Sequence, residues 1–135
     1  MARPIITITD GRGHDVDPAS EEELLDELRR LDGEFRAERE PRIVVIYGDP
    51  EADMTPKLSI GLAADQATVC YDHGLSSAYS RGRRRSESEI GYAYGDGYSE
   101  FPKWTLVSKE DALAAAREFF QTGRRPTNLD WVDLD

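Results

Sequence analysis

The stretch Pro102-Lys103-Trp104-Thr105-Leu106-Val107-Ser108-Lys109-Glu110-Asp111-Ala112 decides the fold, because it reads as a strand running straight into a capped helix. Trp104-Thr105-Leu106-Val107 is rich in β-forming residues. Ser108 suits the helix cap, and Asp111 lies three residues on, an acidic partner in the manner of a capping box. Leu113, Ala116 and Phe120 mark one packing line, with Ala112 and Phe119 beside it. Gly123 supplies a left-handed stop, and Pro126 prevents continuation. Thr127 to Leu134 then reads as a last strand with Leu129 and Trp131 on one side.

Upstream, the same alternation of strand and helix signals recurs. Pro4 to Thr9 is β-branched and reads as a first strand, and Asp10-Gly11-Arg12-Gly13 reads as a turn. Ser20 and Glu23 form a capping box for a helix from Glu21 to Leu31. Its Leu24, Leu25, Leu28 and Leu31 make one apolar stripe, and Gly33 is its expected stop. Arg42 to Tyr47 is a nearly continuous apolar run, as a strand buried on both faces requires. Gly48 to Asp53 is an acidic loop, and Lys57–Ala63 and Ala67–Asp72 pair as a hairpin. His73 to Ser88 reads as a long loop or hairpin tip. Ile90, Tyr92 and Tyr94 alternate with Gly91 and Ala93 before the turn Gly95-Asp96-Gly97, which suggests a strand against which something packs closely. The expectation is one α+β domain spanning 1–135: a mainly antiparallel sheet of about six strands with two principal helices packed on it.

With 135 residues, such a domain buries roughly 68% of its unfolded surface. No apolar run approaches the ~20 residues of a membrane span. The N-terminus lacks the basic and apolar regions of a signal peptide, so the expected location is cytoplasmic. A single cysteine, Cys70, excludes an internal disulfide framework and a thiolate-based zinc site. The net charge is −10. It opposes phosphate-backbone binding and favours a cationic partner. Residues 1–72 hold 17 acidic and 8 basic side chains, against 10 and 9 in residues 73–135.

No converging catalytic chemistry is visible. His14 and His73 lie far apart in loops, and metal-ligand spacing is absent. Gly91 to Gly97 lacks the lysine and the strand-to-helix context of a phosphate loop. No cofactor is implied. Arg81-Gly82-Arg83-Arg84-Arg85 could meet nucleic-acid phosphates or an acidic patch, although the surrounding negative field repels the former. Trp104 and Trp131 read as core or rim anchors, whereas the tyrosines at 92, 94 and 98 suit recognition, since Tyr joins a large contact area to a polar tip.

Phe101-Pro102, Ser108 to Ala112, Glu118-Phe119, Thr122-Gly123-Arg124-Arg125-Pro126 and Leu129-Asp130-Trp131 together resemble immunity protein family one of bacterial polymorphic toxin systems. The resemblance covers about a quarter of the chain at motif level; the rest agrees in size and element order. It implies a non-enzymatic α+β protein that neutralises a cognate toxin by direct binding. The toxin would often be one that modifies nucleic acid, including deaminase types, and would carry a basic substrate cleft. The expected toxin contacts are Asp49, Glu51 and Asp53 of the acidic loop and Tyr92, Tyr94, Asp96 and Tyr98 of the tyrosine-rich segment. Two other readings stay open: an acidic adaptor without toxin linkage, and a nucleic-acid binder using Arg81 to Arg85.

Overall fold

A computed structural model describes residues 7–13, 15–48 and 54–134. The chain forms β1 (Thr7–Thr9), β2 (Asp15–Val16), α1 (Glu21–Glu38), β3 (Arg42–Tyr47), β4 (Lys57–Leu62), β5 (Gln66–His73) and β6 (Ser76–Arg81). It continues through β7 (Glu89–Tyr94), β8 (Gly97–Pro102), a 3-10 turn (Lys103–Thr105), β9 (Leu106–Ser108), α2 (Lys109–Thr122) and β10 (Asp130–Asp133). The class is the expected α+β. The strands run in the order β10-β6-β5-β4-β3-β1-β2, with β9 beside the start of β5. Among the described residues, every strand pairing is antiparallel except that of β3 with β7.

The sheet is covered on both faces. Leu24, Leu28, Leu31 and Phe35 of α1 and Ala112, Ala116 and Phe119 of α2 pack on Val44, Ile46, Leu58, Ile60 and Val69. The opposite face is covered by the β7–β8 hairpin, through Tyr92 and Phe101 against Ile43 and Val45. This is why β3 reads as a continuous apolar run: its alternate residues enter two different cores. The hairpin is admitted by small residues beneath it. At Gly61 of β4 a β-carbon would stand 2.4 Å from the Tyr92 ring, so the glycine is what lets the ring lie on the sheet.

Several elements differ from the sequence reading. Helix α1 runs through Gly33 to Glu38 and ends at Arg39, which adopts φ 56°. A helical glycine costs only about 1 kcal/mol, and the buried ring of Phe35 together with pairs such as Arg36–Asp32 holds the extra turns. Ser76 to Arg81 is a strand rather than a loop, hydrogen-bonded to β5 and β10. Its inward positions, Ala78 and Ser80, are too small to give an apolar signature. Lys103–Thr105 is a 3-10 turn, closed where the Thr105 hydroxyl donates to the Pro102 carbonyl at 2.8 Å. The last strand spans only Asp130–Asp133, because Thr127 is held by Glu118 and Asn128 by the Asp111 carbonyl. The strand count exceeds six because β2, β6 and β8 are short or polar and gave no strand signal. Helix α2 matches its reading, with Ser108 accepting from the Asp111 amide and Gly123 at φ 68°. Of the first strand, Thr7–Thr9 is present, and its start lies outside the described residues.

Candidate functional site

Seven residues were expected to form the contact surface, and the structure describes four of them. Asp49, Glu51 and Asp53 lie outside the described residues, as does His14. Tyr92 is 0% exposed. It is a core residue, which corrects its reading as a contact. Strand alternation explains the difference: Ile90, Tyr92 and Tyr94 share one face of β7, and that face is turned onto the sheet. Tyr94 is half-buried there, and Asp96 is exposed in the turn. Tyr98 sits on the outer face, 68% exposed.

Beneath the hairpin lies a chain of buried hydroxyls. Tyr92 Oη stands 3.2 Å from Thr68 Oγ1, which lies 2.9 Å from Thr105 Oγ1. Ser80 Oγ donates to the Thr105 carbonyl at 2.7 Å and accepts from the Val69 amide at 3.0 Å. Val69 needs that acceptor because β5 changes partner around it: residues 66–68 pair with β9 and residues 70–73 with β6. Burial pushes the Tyr92 phenol up, and its bond to Thr68 opposes the shift. The phenol is therefore a structural tie, held neutral at ordinary pH.

The outer face of the hairpin has a different character. Glu89, Gly91, Ala93, Tyr98 and Glu100 share it by register. The Tyr98 ring lies over Gly91, where a β-carbon would stand 1.7 Å from its hydroxyl. This leaves a positioned, exposed ring amid carboxylates. Much of the acidity elsewhere is already neutralised. Arg12 pairs with Asp10, Glu34 and Glu38, Arg30 with Glu27 and Glu34, and Arg36 with Asp32. Glu89, Asp96 and Glu100 make no such pair among the described residues.

Two open grooves complete the surface. One, of about 560 Å³, is lined by Tyr47, Met54, Thr55, Lys57, Asp72, Gly74 and Leu75 at one end of the sheet. Tyr47 lies beside Tyr94 of the hairpin, whose phenol is pushed up by burial first and then by this neighbour. The other, of about 500 Å³, collects Arg81, Arg83 and Arg84 beside the start of α2, with Asp111 and Asp130 also on its wall. Its path is pinned at Gly82, where a β-carbon would fall 1.7 Å from the Leu106 carbonyl oxygen. Cys70 is unsuited to nucleophilic work: burial, then the charge of Asp72, pushes its thiol up to about 12.

Comparison with known families places these features. The family model described as "Immunity protein Imm1" matches residues 12–133. The chain belongs to the Imm1 family. A curated relative from Burkholderia cenocepacia (strain H111), named "Double-stranded DNA deaminase immunity protein", is 33% identical over 86 residues. That alignment covers 58% of this chain and 66% of the relative, just under two thirds of its length.

The Imm1 match takes in both helices, β3 to β10 and the hairpin. The motifs that carried the resemblance in sequence sit largely in scaffold: Phe101 and Phe119 are buried, and Ser108 and Gly123 cap α2. Sequence reasoning passed over Tyr47, Met54 and Leu75 because each sits at the end of a strand or in a turn. Only the folded chain brings these three exposed apolar side chains to one groove. The one local signal was Gly74-Leu75, an apolar residue where a two-residue hairpin turn usually carries a polar one.

Proposed function

We propose that this protein neutralises a toxin encoded beside it by direct, stoichiometric binding in the cytoplasm, without catalysis. The carrying observation is the family match over residues 12–133. The named relative supports a deaminase or another nucleic-acid-targeting enzyme as the toxin. Such an enzyme needs a cationic substrate cleft, and a chain of net charge −10 suits its occlusion. Steering by the field speeds capture, whereas buried anchors slow release. Asp49, Glu51, Asp53, Tyr94, Asp96 and Tyr98 are the proposed contacts, and the carboxylates beside Tyr98, which make no ion pair among the described residues, support the hairpin part of that set.

Co-expression with the adjacent toxin gene tests the reading. The expected result is a stable complex at equal stoichiometry and rescue of growth. Absence of both binding and protection for every adjacent gene product would overturn it. The arginine groove supports a second reading as a nucleic-acid binder. That reading requires salt-sensitive retention on DNA or RNA, abolished by Arg83→Ala with Arg84→Ala.

A further inference from the structure

Strand β8 has a strand partner on one side only. Among the described residues it is the longest strand of which this is true, six residues against four in β10 and fewer in β2 and β9. Gly97, Tyr98, Ser99 and Glu100 are all exposed.

The phase of the β7–β8 ladder fixes which main-chain groups of β8 are free. Gly95-Asp96 is a two-residue turn, so Tyr94 and Gly97 form the hydrogen-bonded pair that closes it. Bonded and non-bonded pairs alternate along an antiparallel ladder, which makes Ala93–Tyr98 and Gly91–Glu100 the non-bonded pairs. Two further bonds agree with this phase. The Lys103 amide donates to the Ser88 carbonyl at 2.8 Å, in step with the bonded pairs, and the Ala93 amide donates away from β8, to the Pro41 carbonyl at 2.9 Å. Tyr98 and Glu100 therefore turn their amides and carbonyls to the open side of β8, where no hydrogen bond among the described residues takes them up.

The side chains leave that edge accessible. The Tyr98 ring is laid back over β7, into the space that a β-carbon on Gly91 would fill. An open edge invites pairing with another chain, and charged side chains are the usual guard. Here the guard has one sign. Glu100 stands on β8 itself and Glu89 one strand further in, and the residues sharing their face, Gly91, Ala93 and Tyr98, include no cation. Neither carboxylate makes an ion pair among the described residues.

These charges select the occupant. A second copy would set the carboxylates of one hairpin against those of the other, which like-charged cross-strand neighbours make unfavourable. It would also join two chains of net charge −10. An extended segment with lysine or arginine on alternate residues meets the opposite condition. Its main chain bonds Tyr98 and Glu100, and its cations fall on the face that carries Glu100 and the Tyr98 ring.

We propose that the free edge of β8 captures the toxin by strand addition, pairing Tyr98 and Glu100 with an extended, lysine- or arginine-bearing segment of the toxin. This rests on the toxin-binding reading above and names the mode of contact. Main-chain bonds supply affinity in such an arrangement, and the side chains along the edge supply selectivity.

Amide hydrogen exchange tests the mode of contact, read residue by residue by NMR with and without the catalytically inactivated toxin domain from the adjacent gene. In the free protein the Tyr98 and Glu100 amides should exchange fast, and the Ser99 amide, paired with Tyr92, slowly. Saturating toxin should slow Tyr98 and Glu100 by about tenfold or more. Glu100→Pro removes an outward amide without removing a bond to β7, and edge strands tolerate proline. It should raise Kd about tenfold or more and melt within a few degrees of the parent. Glu100→Lys should raise Kd by a similar factor, whereas Asp65→Lys, the same charge change on the exposed β4–β5 turn, should shift it by less than about threefold. A complex in which the Tyr98 and Glu100 amides stay fast overturns strand addition and leaves the toxin-binding reading intact. Equal weakening by Asp65→Lys overturns it as well. Protection of the same amides without toxin, lost on dilution, assigns the edge to a second copy and overturns the proposal. If the parent binds no adjacent toxin, the underlying reading fails and the proposal with it.

Discussion

Replacing Ser80 by alanine removes one oxygen atom and orphans two buried backbone groups. Ser80 Oγ accepts from the Val69 amide at 3.0 Å and donates to the Thr105 carbonyl at 2.7 Å, and the residue has no exposed surface. No strand partner replaces it, because β5 passes from β9 to β6 around Val69. An orphaned buried polar group costs about 1–3 kcal/mol. Two such groups, with some relaxation, give about 2–4 kcal/mol for Ser80→Ala. That is a large fraction of the ~5–15 kcal/mol by which domains are stable, and it lowers the melting temperature by roughly 10 °C at this chain length. Urea unfolding followed by circular dichroism measures it, with Ser86→Ala as the control. Ser86 bonds Ser88 on the exposed loop, and its loss should cost under about 0.5 kcal/mol. If Ser80→Ala matched that control at unchanged m-value, the buried hydroxyl chain would not hold the hairpin's base as argued.

Three further outcomes are expected. Gly61→Ala should destabilise by about 1–3 kcal/mol through overpacking against the Tyr92 ring. In a Tyr92→Leu background it should cost clearly less, which a double-mutant cycle in urea reads as coupling. Asp32 is pushed up by burial but held below the ordinary carboxylate range by Lys109 at 2.6 Å, by the Ala63 amide and by Arg36. A depressed native pKa stabilises above the unfolded value near ~3.9 and loses that contribution as pH falls through the native one. Asp32→Asn should therefore cost about 1–2 kcal/mol at pH 7, and the gap to the parent should close below about pH 4 in urea titrations. Cys70, its thiol raised to about 12, should react with a disulfide reagent at pH 8 at least about a hundredfold more slowly in the native protein than in urea; equal rates would contradict its half-buried, carboxylate-flanked setting.

Local signals sufficed wherever one segment settled its own structure. The bounds of α2 follow from Ser108, Asp111 and Gly123, because caps act within one turn. The two-sided burial of β3 and the inward line of Leu58, Ile60 and Leu62 were equally legible, since a continuous or alternating apolar pattern states how many faces are covered. The family resemblance was legible for the same reason, as its motifs are mostly caps, stops and core residues.

What lay beyond the sequence involved a choice between distant partners. The pattern of Ile90, Tyr92 and Tyr94 announced a face but not whether sheet or solvent met it; Gly61, on another strand, decided for the sheet. Helix α1 outran Gly33 because Phe35 found a core, which no local rule contains. Ser76 to Arg81 gave no apolar signature because Ala78 is small and Ser80 serves Val69 and Thr105 instead of a hydrophobic layer. The exposed trio Tyr47, Met54 and Leu75 is distributed over three elements and is a surface only after folding. The sequence by itself determined the bounds of α2, the main strands, the class and the family, since propensity, capping and periodicity act over a few residues. The tertiary structure decided which tyrosine is core and which is surface, and where the exposed apolar side chains meet, because burial is set by residues far apart in the chain.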